Sequence, residues 1–422
     1  MKRLAVFIVG LLPAFAVGAA DPVSPAPPVE ELVAQALERS PGLAAAHAQV
    51  AAAAAVVDSA AALPDPMLEL SIDNIGATSW TVGEEEMSMV GVSYVQSLPY
   101  PGKRAARRAA AQAEVAPRRA GLAAARRRVA FEVRLAYAAL YALDREAASL
   151  DDAAELLDLL ETTTTTRYAV GAVDQGAVIK AQLEQTRLLE RRDDLAAERA
   201  GVVARLNALR DLPGAEPLGP VVALPAVAPP PGPWDEAIAA GSPELAMRAQ
   251  EVAAAERAVE LARLELKPNM LAGAGLGYRG DYDPAVSLRF GLELPVRRDA
   301  NQRARLAAAE HDAAGRRAAL HAAEADLRAT AARLDADWRR ALAQVERYRG
   351  AVLPQTSAVV DASRASYLAG RGDFPTVLED FRTWLDARTE LARRERDRYA
   401  VWAELESLLP DSTDAPVAEV TR

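Results

Sequence analysis

The sequence predicts a mainly α-helical chain with a small β part, in which long coiled-coil helical hairpins and four strands form two copies of one unit. Three observations support this prediction. A glycine-centred turn at residues 167–182 recurs about 200 residues later. Apolar residues follow heptad spacing over long stretches on the N-terminal side of both turns. Two segments of period-two alternation interrupt the helical pattern at the same point in each copy.

The repeated turn contains a tyrosine, a glycine and an aspartate at the same spacing in both copies. The first copy has Tyr168, Gly171 and Asp174, and the second has Tyr367, Gly370 and Asp373. The glycine can take the left-handed conformation that ends a helix, and the aspartate can cap the start of the next helix. Each turn is therefore predicted to be the tip of a helical hairpin, and its recurrence with flanking helices indicates a duplication.

The long helices carry apolar residues with the spacing of a coiled coil. The first series includes Val129, Val133, Ala136, Leu140 and Leu143, and the second Leu306, Ala313, Leu320, Leu327, Leu334 and Ala341. A helix over residues 103–169 would be roughly 100 Å long at about 1.5 Å per residue. Pro117 lies inside that helix. Because proline removes a backbone donor, we expect a kink or break near residues 115–116.

The period-two segments predict strands with one apolar and one mostly polar face. Leu68, Leu70 and Ile72 alternate with polar residues, and similar alternation marks residues 87–98, 270–279 and 285–294. A transmembrane barrel wall has this pattern, with lipid outside and water inside. A closed barrel filled only by side chains already needs about eight strands, so several chains must contribute. Three chains would supply a 12-strand barrel.

The predicted organisation places the two units on either side of a linker rich in proline and glycine. Residues 1–20 are predicted to be a secretory signal peptide, with a retained anchor helix as the alternative. The first unit, 21–210, comprises a helix, strands 67–74 and 87–98, a long helix 103–169, a tip 170–174 and a return helix 174–210. After a linker 211–234, the second unit, 235–410, comprises a helix, strands 270–279 and 285–294, a long helix 300–369, a tip 370–373 and a return helix 374–409. Residues 411–422 are expected to be a disordered tail, and no stretch after the signal is expected to be a membrane helix.

The composition argues against several classes of function. The chain has no cysteine, which excludes disulfides, thiolate metal sites and cysteine nucleophiles. Its net charge of −10 comes from interleaved arginine and glutamate, which disfavours nucleic-acid binding. We find no Ser/His/Asp or metal-ligand constellation, so we expect neither an enzyme nor a cofactor. Met87 and Met89 are interpreted as apolar strand residues rather than copper ligands.

The order, duplication and spacing of these motifs resemble the TolC family of outer-membrane efflux proteins over nearly the whole chain after the signal. The matching segments are Tyr168-x-x-Gly171 with Val178-Ile179-x-Ala181-Gln182, Tyr367-x-x-Gly370 with Val377-Leu378, the starts Ser40-Pro41 and Ser242-Pro243, and Gln96-Ser-Leu-Pro99 with Gly102-Lys103-Arg104. The resemblance implies a homotrimer with a 12-strand β-barrel in outer-membrane lipid and an α-barrel tunnel in the periplasm. It also implies docking to a periplasmic adaptor protein and an inner-membrane pump. The alternative is a soluble periplasmic coiled-coil scaffold without a channel.

The resemblance further implies functional residues at the tips. In the family, aspartates lie six and nine residues after the second tip glycine, and here those positions hold Thr376 and Glu379. Together with Tyr367, they are the candidates for a periplasmic gate, where Glu379 would supply an acidic ring. The adaptor-docking candidates are Tyr168, Gly171, Asp174, Gly370, Arg371 and Asp373.

Overall fold

The computed structural model describes residues 24–229, 233–297 and 299–409. The predicted signal peptide and the predicted tail both lie outside the described residues. Helices make up most of the described chain, and the four named strands form one sheet.

The first unit contains four helices and two strands. These are α1 Val29–Arg39, α2 Pro41–Ala60, β1 Met67–Asp73, β2 Met89–Leu98, α3 Lys103–Ala169 and α4 Gln175–Leu209. Pro41 stands at the first position of α2, where a proline leaves no helical hydrogen bond unmade. Residues 74–88 connect the two strands, so β2 begins two residues later than the alternation alone suggested.

The second unit repeats this order. Its elements are α5 Trp234–Gly241, α6 Pro243–Glu265, β3 Asn269–Arg279, β4 Tyr282–Glu293, α7 Gln302–Arg347, α8 Leu353–Leu368 and α9 Phe374–Leu408. Strand β4 begins three residues earlier than expected and includes Pro284. Because β4 lies at an edge of the sheet, a proline is tolerated there.

Two expectations about the long helices are wrong. The break expected near residues 115–116 is absent, since helix α3 is continuous through Pro117, which is buried, and α3 packs against α2 and α6. This packing outweighs the one backbone hydrogen bond that the proline removes. The expected single helix over residues 300–369 is instead interrupted by a π-helical turn, Tyr348–Val352. Pro354 follows the turn, and in a regular α-helix its ring would clash with the carbonyl of Gly350, which the wider turn avoids.

The four strands form an antiparallel sheet in the order β1-β2-β3-β4. Leu70 pairs with Val92, Val92 with Leu276, and Leu276 with Val286, so one face of the sheet is apolar across all four strands. That face is uncovered in the single chain, where Leu70 is 78% exposed and Phe290 79% exposed. Strands β1 and β4 are the two edges, so the sheet does not close within one chain.

Helix α2 corrects a further expectation. Among the described helices it alone is long and apolar enough to cross a membrane, judged by length and composition only. The expectation that no stretch after the signal would reach that standard is therefore wrong. Helix α2 is rich in alanine, packs along α3 and leaves most of its surface exposed.

A buried lysine joins the sheet to the helices at the start of α3. The Lys103 side chain is 1% exposed, and its Nζ donates to the Lys267 carbonyl at 2.7 Å and to Asn269 Oδ1 at 2.8 Å. Nζ also lies 3.3 Å from Glu265, which accepts a hydrogen bond from Arg107. Burial raises the pKa of Glu265, but the hydrogen bond from Arg107 and the charge of Lys103 outweigh burial and leave the pKa below its usual range. The two units are thus linked by an ionised pair where helix gives way to strand.

Replacing this lysine is expected to destabilise the fold. In Lys103→Ala, Glu265 keeps only Arg107, and the Lys267 carbonyl loses its donor. Because Glu265 is one-third exposed, we expect a loss of about 2–3 kcal/mol, at or below the lower end for breaking a buried pair. Thermal unfolding of the purified protein measures it. Arg108→Ala is the matched control, since its pair with Asp58 is exposed and contributes about 0–1 kcal/mol. Equal losses in the two variants would contradict this account.

Candidate gate and docking site at the hairpin tips

The two turns share one backbone geometry. Gly171 has φ +73° and Gly370 has φ +76°, the left-handed conformation that the sequence predicted for both. In each turn an amide reaches back to the preceding helix, from Ala172 to the Arg167 carbonyl at 2.8 Å and from Arg371 to the Ser366 carbonyl at 3.0 Å. No atom lies within 4 Å of where a Cβ would stand on either glycine, so the backbone conformation alone favours glycine.

An aspartate caps the return helix of each hairpin. Asp174 accepts a hydrogen bond from the Ala177 amide at 2.9 Å, and Asp373 accepts one from the Thr376 amide at 2.9 Å. Hydrogen bonds from Thr376 hold the pKa of Asp373 below its usual value, which keeps the cap ionised. The helix starts are thereby fixed relative to the turns.

The candidate site residues divide into an exposed group and one buried member. The exposed residues are Tyr168, Gly171, Asp174, Gly370, Arg371, Asp373, Thr376 and Glu379. Tyr367, in contrast, is fully buried. The exposed group lies on the two turns and the first turns of α9, so it forms one end of the helical part of the molecule.

Tyr367 connects the first hairpin, formed by α3 and α4, to the second hairpin, formed by α8 and α9. Its hydroxyl lies 2.7 Å from Thr164 Oγ1, which itself lies 2.6 Å from the Leu160 carbonyl. The threonine proton points to that carbonyl, so Tyr367 donates to Thr164. Arg167 donates to the Tyr367 carbonyl at 2.9 Å, and its guanidinium lies 4.7 Å from the ring centroid. Phe374 packs edge-on against the same ring at 5.9 Å.

Buried glutamates cross-link the two hairpins further from the tips. Glu184 on α4 accepts from Arg382 Nε on α9 at 3.1 Å. Glu146 on α3 accepts from Arg191 Nε on α4 at 2.9 Å and from Arg393 on α9 at 3.2 Å. The arginines are close to half-exposed, whereas both carboxylates are buried. These links hold the second hairpin against the first along its length.

A third buried glutamate lies beside the π-helical turn. Glu395 on α9 accepts from Arg349 Nε at 2.9 Å and from the Tyr141 hydroxyl. Burial, with the hydrogen bond to Glu395, raises the pKa of Tyr141 to about 12. The sequence analysis missed this cluster and the two before it. The sequence did contain one signal for Glu395. It lies between Ala392 and Tyr399 at a position of the helical repeat that is otherwise apolar, on the buried face of α9.

The raised pKa of Tyr141 predicts an alkaline transition. Because the pKa of Tyr141 in the folded protein lies above the usual tyrosine value of 10.0, the stabilisation from its neutral hydroxyl is complete below pH 10 and is lost as pH rises towards 12. In a tyrosinate absorbance titration, Tyr141→Phe is expected to remove amplitude from the pH 10–12 portion of the curve. A curve unaltered between pH 10 and 12 in Tyr141→Phe would contradict the assignment.

Comparison with protein families finds a match in the first unit. The family model described as outer membrane efflux protein matches residues 32–215. Over these residues the chain is similar to the outer membrane efflux protein family. The match covers the first unit, including its strands, its hairpin and its tip. A search among curated proteins gave no match.

Solved structures share the fold of the chain over 90% or more of its length. The outer membrane protein VceC of Vibrio cholerae is 17% identical, with a TM-score of 0.75 over 90% of this chain and 95% of its own. CusC is 16% identical, with a TM-score of 0.77 over 90% and 92%. The CmeC outer membrane channel of Campylobacter jejuni is 14% identical, with a TM-score of 0.72 over 97% and 95%. At these identities the likeness shows a shared fold.

The part of the chain that the structure describes contains no group of three or more His, Asp or Glu side chains arranged to hold a metal ion. The polar chemistry of the tips is instead that of hydrogen bonds and ion pairs between helices.

Proposed function

We propose that this chain is the outer-membrane channel component of a tripartite efflux or secretion system. The observation that carries the proposal is the uncovered apolar face of the sheet. Leu288 is 70% exposed and Val286 73% exposed, and both belong to a surface that spans all four strands. Water-soluble proteins rarely expose contiguous apolar areas of this kind. In a membrane, lipid would contact the apolar face and water would contact the polar face, so each face would have a suitable solvent.

The free edges of the sheet support assembly with further copies. Strands β1 and β4 are both left with unpaired backbone groups, which cannot face lipid without a partner. Three chains, joined β4 to β1, would give twelve strands and a closed wall. The helices would then form a tunnel through the periplasm, and its tips would meet a periplasmic adaptor protein and an inner-membrane pump.

The same face argues against the alternative of a soluble periplasmic scaffold. Within the described residues, no helix or loop covers the apolar surface of the sheet. A soluble scaffold would have to hide that surface elsewhere, so the alternative is not favoured.

At the tips we assign two roles. Tyr367, through Thr164 and Arg167, would hold the second hairpin in a closed position, and Thr376 and Glu379 would line the mouth. The exposed turn residues would form the adaptor-docking surface: Tyr168, Gly171, Asp174, Gly370, Arg371 and Asp373. Their support is their position, since all lie at one end of the helices and away from the sheet.

Single-channel recording in a planar bilayer tests the function and the mouth together. We expect wild type to be trimeric and to conduct, and Glu379→Ala to conduct with weaker cation selectivity, because three acidic side chains leave the entrance. Asp380→Ala is the matched control, since the next residue is rotated by about 100° around the helix. Absence of both trimers and channels would overturn the proposed function. Identical selectivity in wild type and Glu379→Ala would overturn only the role of Glu379.

A further inference from the structure

The polar face of the sheet contains a row of glycines. Gly91 on β2 pairs with Gly277 on β3, and Gly273 and Gly275 follow on β3 at alternate positions. A Cβ at Gly275 would lie 2.7 Å from the Ser287 hydroxyl, so not even a methyl group fits without displacement. Around these glycines the two central strands present backbone and the small Ser93 side chain, with Met89 and Val95 beside them.

One ion pair crosses this row of glycines and joins the two edge strands of the sheet, β4 and β1. Arg289 on β4 lies with its Nη1 3.0 Å from Glu69 Oε2 on β1, although β2 and β3 separate the two strands. Ser93 on β2 lies between them and donates to the same carboxylate at 3.4 Å. The Arg289 guanidinium can reach Glu69 across β3 and β2 because the glycines beneath it, such as Gly273, have no side chains. In this position the arginine lies along the wall rather than projecting away from it.

From this arrangement we infer that Glu69 neutralises Arg289 inside the barrel and thereby preserves the cation selectivity of this part of the pore. The inference rests on the proposed trimeric channel, in which this face lines the water-filled lumen. When Arg289 and Glu69 are paired, their charges cancel. The lumen is then acidic because Asp73 and Glu293 lie on the same face of the sheet, by period-two spacing. Unpaired, either charge would act alone and would occur three times around the pore.

The pair is suited to selectivity more than to stability. Its side chains are 60% and 46% exposed, and exposed ion pairs contribute only about 0–1 kcal/mol. Variants of either residue should therefore fold and insert. Within a water-filled channel, however, like charges on the wall raise the local concentration of counter-ions, and this effect weakens as salt increases.

Reversal potentials in asymmetric potassium chloride test the inference, using wild type, Glu69→Gln, Arg289→Gln and the double variant. Glu69→Gln frees the arginine and is expected to lower the cation-to-anion permeability ratio. Arg289→Gln frees the carboxylate and should raise that ratio. A change in wall potential of about one kT per elementary charge changes the local concentrations of cation and anion about threefold each, in opposite directions, so the ratio should shift by about sevenfold at low salt. The double variant should return to the wild-type ratio, which separates loss of pairing from damage to the wall.

The outcomes separate the inference from the function on which it rests. If wild type forms neither trimers nor channels, the proposed function fails. If wild type conducts but the single variants leave the ratio unchanged, or shift it in the same direction, the inference about this pair is overturned. Shifts of opposite sign that cancel in the double variant would establish it.

Discussion

Leu288→Arg is expected to prevent assembly in the outer membrane. Leu288 lies within the apolar face of the sheet, between Val286 and Phe290 at alternate positions, and is 70% exposed in the single chain. An arginine facing lipid near the bilayer midplane costs about 2–4 kcal/mol, and a trimer would contain three of them. We therefore expect the variant to be absent from outer-membrane fractions and to lack trimers after detergent extraction.

The neighbouring residue provides the matched control. Ser287 lies on the opposite face of the same strand, paired with Gly275, so Ser287→Arg places the same side chain towards the predicted lumen. That variant should insert and form trimers with altered ion selectivity. If Leu288→Arg reaches the outer membrane as well as Ser287→Arg does, the apolar face does not contact lipid.

Tyr367→Phe is expected to favour the open state of the channel. The change removes the hydroxyl bonded to Thr164 and leaves the buried ring against Phe374 in place. A hydrogen bond of this kind contributes about 1 kcal/mol, which is a factor of about five in a two-state ratio. If three chains open together, the ratio of open to closed channels would rise by about a hundredfold. Open probability in single-channel recordings measures the change.

Two threonines on α3 sharpen this test. Thr164→Val removes the partner of Tyr367 and should reproduce the increase in open probability. The Thr163 hydroxyl donates instead to the Leu159 carbonyl of its own helix at 2.8 Å, so Thr163→Val should have no such effect. An open probability that stays at the wild-type level in both Tyr367→Phe and Thr164→Val would show that this bond does not hold the channel closed.

The tips were predictable from sequence because their determinants are local. A glycine and an aspartate three residues apart specify the left-handed turn and the next helix cap without help from the rest of the chain. The strands were predictable for a similar reason, since alternation of apolar residues needs no distant partner.

The links between the hairpins were not predictable in this way. Tyr367 and Thr164 are 203 residues apart, and nothing near either residue indicates the other. The buried Glu184 was equally hidden, because an isolated glutamate among many arginines and glutamates suggests a solvated surface. Its arginine partner lies 198 residues away on another helix. Pro117 failed as a helix breaker because its cost is set by the packing around α3, which local propensity does not describe.

The π-helical turn inserts one extra residue into the helix. Along α7 the buried seam passes through Ala341 and Val345, and a continuous α-helix would carry it by heptads to residues 359 and 366. The buried residues of α8 are instead Val360 and Tyr367, one position later, while Val359 is half exposed. The helix beyond the turn is thus one residue out of phase with the helix before it. If the turn changed into a regular α-helix, α8 would rotate by about 100°, the angle of one residue. Ser366 would then take the place that Tyr367 occupies against Thr164.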